Sequence, residues 1–208
     1  IGRCFKLKTI EKALLAGFFI TILFNLTGFA NKCESISDKV FRLHILANSD
    51  SKEDQELKLK VRDRVLKETS DLFKNAHCKE DAKNLALENI DNIKKIAEDE
   101  IHINGFSYNA KVEVVEMFFD TRQYDNIKLP AGSYNALRIL IGQGKGHNWW
   151  CVMFPQLCIG SATKEDNINN ILPEDQASIV DNSENYEVKF KVVECFYKIK
   201  SFFLNLFN

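Results

Sequence analysis

Lys145 stands inside Gly142-Gln143-Gly144-Lys145-Gly146, so phosphate chemistry is the first to test. A phosphate-binding P-loop needs its Gly-Lys followed by Ser or Thr at a helix start. Here Gly146-His147-Asn148 follows, and the segments on either side are strand-like. The glycines instead fit a hairpin loop, where they supply φ > 0, with Lys145 and His147 exposed at the tip. Cys151 is a possible nucleophile with His147 or His44 as its base. However, His147 is four residues away on an extended segment, about 13 Å. No protease signature surrounds Cys151, and His44 reads as a polar-face strand residue. Cys151 and Cys158 have six residues between them, wider than the roughly two to four usual for zinc. Two readings stay open for this pair: a disulfide, or two buried thiols. Trp149 and Trp150 point to opposite faces if they lie on a strand. In simple hairpin register one of them lies near Arg138, and an exposed Trp beside Arg is a typical composition for a binding hot spot.

The elements that must position these residues follow from periodicity. Lys39–Asn48 alternates as a strand, with Phe41, Leu43, Ile45 and Ala47 on one face and Arg42 and His44 on the other. Asp50 and Glu53 approximate a capping box for a helix over Lys52–Lys74. A second helix runs over Glu80–His102 and stops at Asn104-Gly105. Ser107–Phe119, Tyr134–Ile141 and Asn148–Phe154 read as further strands. Gly160–Tyr186 turns polar and reads as a surface excursion pinned by Leu172-Pro173 and Ile179-Val180. Val188–Phe207 reads as an amphipathic helix with Val192, Phe196, Ile199, Phe203 and Leu206 on its apolar stripe, packed across the sheet or lying on a membrane surface. The predicted class is α+β, a mainly antiparallel sheet of about four strands in the order β-α-α-β-β-β, with helices on one face and a C-terminal amphipathic helix.

The 208 residues carry a formal net charge of -1, which is no basic footprint for nucleic acid. Arg3, Lys6, Lys8 and Lys12 precede the uncharged run Ala13–Ala30. A positive start and an apolar core describe an export signal. Gly28-Phe29-Ala30 offers a cleavage point between Ala30 and Asn31, and the alternative is an uncleaved anchor. The expected organisation is residues 1–30 as signal or anchor, 31–38 as tether, 39–159 as core domain, 160–186 as polar loop and 187–208 as C-terminal helix. No catalytic, metal or cofactor constellation assembles, so the reading is a non-enzyme whose candidate partner-binding residues are Arg138, Lys145, His147, Trp149 and Trp150.

Three blocks carry a family resemblance: FRLHILANSDSKEDQELKLKVRDRVL at Phe41–Leu66, LPAGSYNALRILIGQGKGHNWWCVMFPQLC at Leu129–Cys158, and YEVKFKVVE at Tyr186–Glu194. The chain resembles stage II sporulation protein R of endospore-forming bacteria. Gln156 and Ser133 depart from the family pattern, where a second Pro and an acidic residue are expected. The resemblance implies export from the forespore into the space between forespore and mother-cell membranes. It implies a partner there, a membrane-embedded protease of aspartic type (the stage II GA sporulation protein), which then removes the pro-sequence of sigma-E. The competing reading from the residues is an exported cysteine hydrolase or thiol-redox enzyme using Cys151.

Overall fold

A computed structural model describes residues 9–124, 127–157, 168, 171–181 and 183–206. Helix α1 (Thr9–Ser37) leads into strand β1 (Phe41–Leu46). Helices α2 (Lys52–Lys74), α3 (Lys79–Glu88) and α4 (Ile90–Ile103) follow, then β2 (Ala110–Phe119), the short pair β3 (Arg122–Tyr124) and β4 (Ile127–Leu129), β5 (Gly132–Ile141) and β6 (Asn148–Phe154). Helix α5 (Glu174–Asp181), a 3-10 turn at Ser183–Tyr186 and helix α6 (Glu187–Leu206) complete the chain.

The main sheet has the order β2-β5-β1-β6. The β2–β5 and β1–β6 pairings are antiparallel, and β1–β5 is parallel. The α+β class and the mainly antiparallel sheet are as expected, but the hairpin is not. β5 and β6 are joined by the glycine loop without being neighbours, because β1 lies between them. The segment Gly142–His147 arches across one intervening strand, a span of two inter-strand spacings or roughly 9–10 Å. A hairpin is the default for two strands joined by a short glycine loop, and the loop alone does not distinguish it from this arch.

Helix α2 starts as expected, but its N-cap is Ser51, whose hydroxyl accepts from the Asp54 amide at 3.2 Å. The second helix is broken at Asn89 into α3 and α4, and the Asn89 side-chain amide donates to the Leu85 carbonyl at 2.9 Å. That bond competes with continuation of the helix. Gly105, at φ 84°, ends α4, with the Phe106 amide reaching back to the Ile101 carbonyl at 3.2 Å.

Helices α2, α3 and α4 cover one sheet face. Phe41, Leu43, Ile45, Leu137, Ile139 and Met153 meet Leu57, Val61, Val65, Ile93 and Ile101 there. Helices were expected on one face, with the C-terminal helix packed across the sheet or on a membrane; the opposite face in fact carries a second core. Phe29, Cys33 and Ile36 of α1, Ile179 and Val180 of α5, and Phe190 and Val193 of α6 pack with Phe119, Tyr134, Ala136 and Val152. This second core explains why β1 is buried on both faces. Arg42 is 0% exposed and His44 4%, although alternation placed them on an outward polar face.

The expected tether at residues 31–38 is instead the last part of α1 through Ser37, and the Ala30–Asn31 bond lies inside that helix. Part of the expected polar loop is α5. Cys158 and most of residues 158–170 lie outside the described residues. Among the described side chains of α6 the buried ones are Phe190 and Val193, whereas Val192 and Phe196 of the predicted apolar stripe are exposed; Ile199, Phe203 and Leu206 of that stripe lie outside the described side chains.

Arg42 is held by aromatic rings rather than by a carboxylate. Its guanidinium lies 4.0 Å from the Phe119 ring centre, 4.7 Å from that of Tyr134 and 5.5 Å from that of Tyr124, and it donates to the Tyr124 hydroxyl. Among the described residues its Nε and Nη1 have no hydrogen-bond partner. Cation–π contacts offset part of the desolvation cost, but a buried group of this kind is often replaceable by an apolar one of similar shape. Arg42→Met is therefore expected to leave stability within about 1 kcal/mol of wild type, while Arg42→Ala, which opens a cavity, costs about 3 kcal/mol. Denaturant unfolding of the full chain in detergent measures both.

Candidate functional site: a polar–aromatic row across the sheet

The strand registers place Glu113, Arg138, His44 and Trp150 side by side across all four strands. Register partners share a face, so the four side chains form one row, on the face opposite α2–α4. Arg138 Nε donates to Glu113 Oε1 at 2.7 Å, and Lys111 Nζ lies 2.8 Å from Glu113 Oε2. The Lys111 contact, and beside it that of Arg138, hold the Glu113 carboxyl below the usual carboxylate range. The His44 ring stacks on Trp150 with centres 3.8 Å apart and planes 5° from parallel. Its Nε2 lies 3.0 Å from Asn148 Oδ1. Trp150 also meets Phe119 edge-on at 4.7 Å, with the Arg122 guanidinium 5.8 Å from its ring. Glu113, Arg138 and Trp150 are half-buried and Asn148 is exposed, so the row has an open edge.

The glycine loop lies beside this row, at the end of the strands where β1 finishes. Its backbone pairs with the chain leaving β1: the Gly146 amide donates to the Ala47 carbonyl at 2.9 Å and the Lys145 amide to the Asn48 carbonyl at 3.2 Å. Asn48 Oδ1 accepts from the Gln143 amide at 3.0 Å, while Asn48 Nδ2 donates to Asp54 at 2.9 Å. Asp50 Oδ1 accepts from the His147 amide at 2.6 Å and lies 2.5 Å from His147 Nδ1. Those hydrogen bonds hold the Asp50 carboxyl below its ordinary value. Lys58, almost fully buried, donates to the His147 carbonyl at 3.0 Å. The loop is thus a rigid arch tied to the start of α2, with Lys145 exposed on it.

The candidate residues separate into groups. Arg138 and Trp150 lie in one row but do not touch in register, because His44 stands between them. Trp149 faces the other way, packed against the main core with the Arg62 guanidinium 4.8 Å from its ring. Lys145 and His147 are on the arch. Glu113 was absent from the sequence candidates and His44 was weighed only as a base for Cys151, not as a partner-binding residue; the signal for their place in the row is strand adjacency, which periodicity does not supply. Cys151 is 1% exposed and disulfide-bonded. A sulfur held in a buried disulfide is not a free thiolate, so this form of the chain offers no Cys151 nucleophile for hydrolysis. Cys158, the partner expected for it, lies outside the described residues; Cys33, Cys78 and Cys195 are free. Among the described residues no group of His, Cys, Asp and Glu is placed to hold a metal ion.

Burial pushes the His44 pKa down from 6.5 to about 4, opposed by the bond to Asn148 and assisted by the Arg138 charge. The folded state therefore favours the neutral ring. As pH falls below about 6.5 the unfolded chain takes up a proton that the folded chain does not, so this stability is complete above 6.5 and is lost on the way down to 4. The expected loss across that window is of the order of 3 kcal/mol. Unfolding midpoints of wild type and His44→Gln between those pH values check this: the wild type falls with acid, and the variant is flatter.

An α+β domain with an arched glycine loop, a polar–aromatic sheet face and a long apolar N-terminal helix describes the class of molecule. A family model for stage II sporulation protein R matches residues 37–164, and the chain belongs to the stage II sporulation protein R family. The stage II sporulation protein R of Bacillus subtilis (strain 168) is 41% identical over 135 residues, covering 62% of this chain and 60% of that protein. The match thus spans less than two thirds of the relative's length. No solved structure matches. The family places the chain in sporulation; its name designates no enzymatic reaction.

Proposed function

We propose that the chain is an exported signalling protein of endospore formation that binds and activates a membrane-embedded aspartic-type protease, the stage II GA sporulation protein, and so triggers processing of pro-sigma-E in the mother cell. Its place of action is the space between forespore and mother-cell membranes. The observation that carries the reading is the row Glu113–Arg138–His44–Trp150, a sheet face with charge, an aromatic anchor and an open edge, of the composition found at binding hot spots. The basic residues before the apolar run of α1 orient the domain away from the cytoplasm. α1 stays attached after export. Phe29 is 5% exposed, stacked on Tyr186 at 5.6 Å and edge-on to Phe190 at 5.4 Å. Cleavage after Ala30 would remove this ring from the second core.

The test is a reconstitution: the full chain and the protease in facing or shared membranes, with cleavage of the sigma precursor as readout. Cleavage that depends on added chain supports the reading. Equal cleavage with and without it excludes activation. Mass spectrometry of the chain recovered from sporulating cells checks that α1 is retained.

A further inference from the structure

Between α1, α5 and the start of α6 lies a cavity of about 470 Å³. It sits where the apolar run of α1 meets the folded domain. Phe24, Phe29 and Tyr186 give it aromatic walls, and Lys32, Asp175 and Lys189 supply its charges. Lys32 Nζ lies 2.8 Å from Asp175 Oδ2, so these two charges offset each other. Lys189 is different. Its ammonium lies 5.5 Å from the Tyr186 ring centre and 5.6 Å from that of Phe29, and among the described residues no carboxylate pairs with it. Two ammonium groups therefore face one carboxylate.

The surroundings are apolar on the membrane side. Along α1, Ile10, Leu14, Phe18, Phe19 and Phe24 are exposed. Val188, Val192 and Phe196 form an exposed row on α6, four residues apart. Phe190 and Val193 of that helix are committed to the second core, and the helix leads from Phe29 toward Asp120, so only its first turn, at Val188, lies beside the cavity. A cationic group beside aromatic rings, at the foot of an apolar helix, matches the headgroup region of a bilayer.

We infer that this cavity binds the phosphate headgroup of an anionic phospholipid, with Lys189 as its principal counter-charge and Lys32 sharing its charge between the phosphate and Asp175. The acyl chains run along the exposed side chains of α1. The inference rests on the reading that α1 is retained in a membrane. The bound lipid adds a headgroup contact to the packing of Phe29, Cys33 and Ile36, which already sets the angle between α1 and the domain.

The test uses the full chain in phosphatidylcholine nanodiscs, with and without phosphatidylglycerol, and follows thermal unfolding. Phosphatidylglycerol is expected to raise the wild-type midpoint by about 5 °C. Lys189→Gln, which leaves the Lys32–Asp175 pair intact, should lose most of that rise while matching wild type in pure phosphatidylcholine. Lys189→Arg should keep it. An equal rise in wild type and Lys189→Gln would mean a general surface-charge effect and overturn the site, as would no rise in wild type. An equal rise from inorganic phosphate in pure phosphatidylcholine would assign the cavity to a soluble anion instead. Extraction of the chain by alkaline wash would show that α1 is not inserted and remove the lipid proposal at its premise, an outcome separable from the others because it is read before any lipid comparison.

Discussion

Gly146→Ala is expected to cost the fold about 3 kcal/mol or more, the upper end of what overpacking does. A Cβ at this position lies 2.1 Å from the Ser49 carbonyl oxygen and 2.5 Å from its carbon. Both are backbone atoms, so no rotamer change relieves the clash. The neighbouring chains are also pinned, since the Gly146 amide donates to the Ala47 carbonyl. Either the arch lifts away from β1 or the link between β1 and α2 shifts. Gly105→Ala is the comparison. Gly105 has φ 84° but open space around it, so its cost is the conformational one alone, about 1 kcal/mol. Denaturant midpoints should rank wild type, Gly105→Ala and Gly146→Ala in that order. A Gly146→Ala chain as stable as wild type would mean that the arch does not sit on β1.

The second large effect concerns function. Exchanging the charges of the row, Glu113→Arg with Arg138→Glu, keeps an ion pair between β2 and β5 but reverses the pattern that a partner meets. Stability should change by less than about 1 kcal/mol, as exposed or half-buried pairs contribute little. Activation of the protease should fall by at least about tenfold, since reversed charges at an interface place like against like. Arg138→Glu alone loses both, because it sets two carboxylates against each other. Far-UV circular dichroism with sigma-precursor cleavage separates the two consequences. Full activation by the exchanged chain would move the contact surface away from this row.

Much of the architecture is legible locally. The alternation in β1 and the helical spacing of α2 give those two elements, the helix to the residue and the strand with its ends overrun, because each carries its own period. What is not legible is adjacency. Nothing within Tyr134–Phe154 says that β1 threads between β5 and β6; that depends on Ala47, Asn48 and Asp50, nearly a hundred residues earlier, accepting the amides of the glycine loop. The same gap hid the second core. Arg42 and His44 look like solvent-facing residues until α1, Phe119 and Trp150 are placed over them. Phe29 and Cys33 belong to a stretch that reads as signal and tether, yet they are structural. For the site, residue types pointed to Arg138 and Trp150, while the row that joins them through His44 exists only in three dimensions.

The central claim is that the protease reads the sheet face bearing this row. Site-specific photocrosslinking in the reconstituted system tests it most directly. A crosslinker at Asn148, exposed at the open edge, should capture the protease, and one at Lys60, exposed on the outer side of α2, should not. Capture from Lys60 and none from Asn148 would contradict the account and place the contact on the opposite side of the sheet.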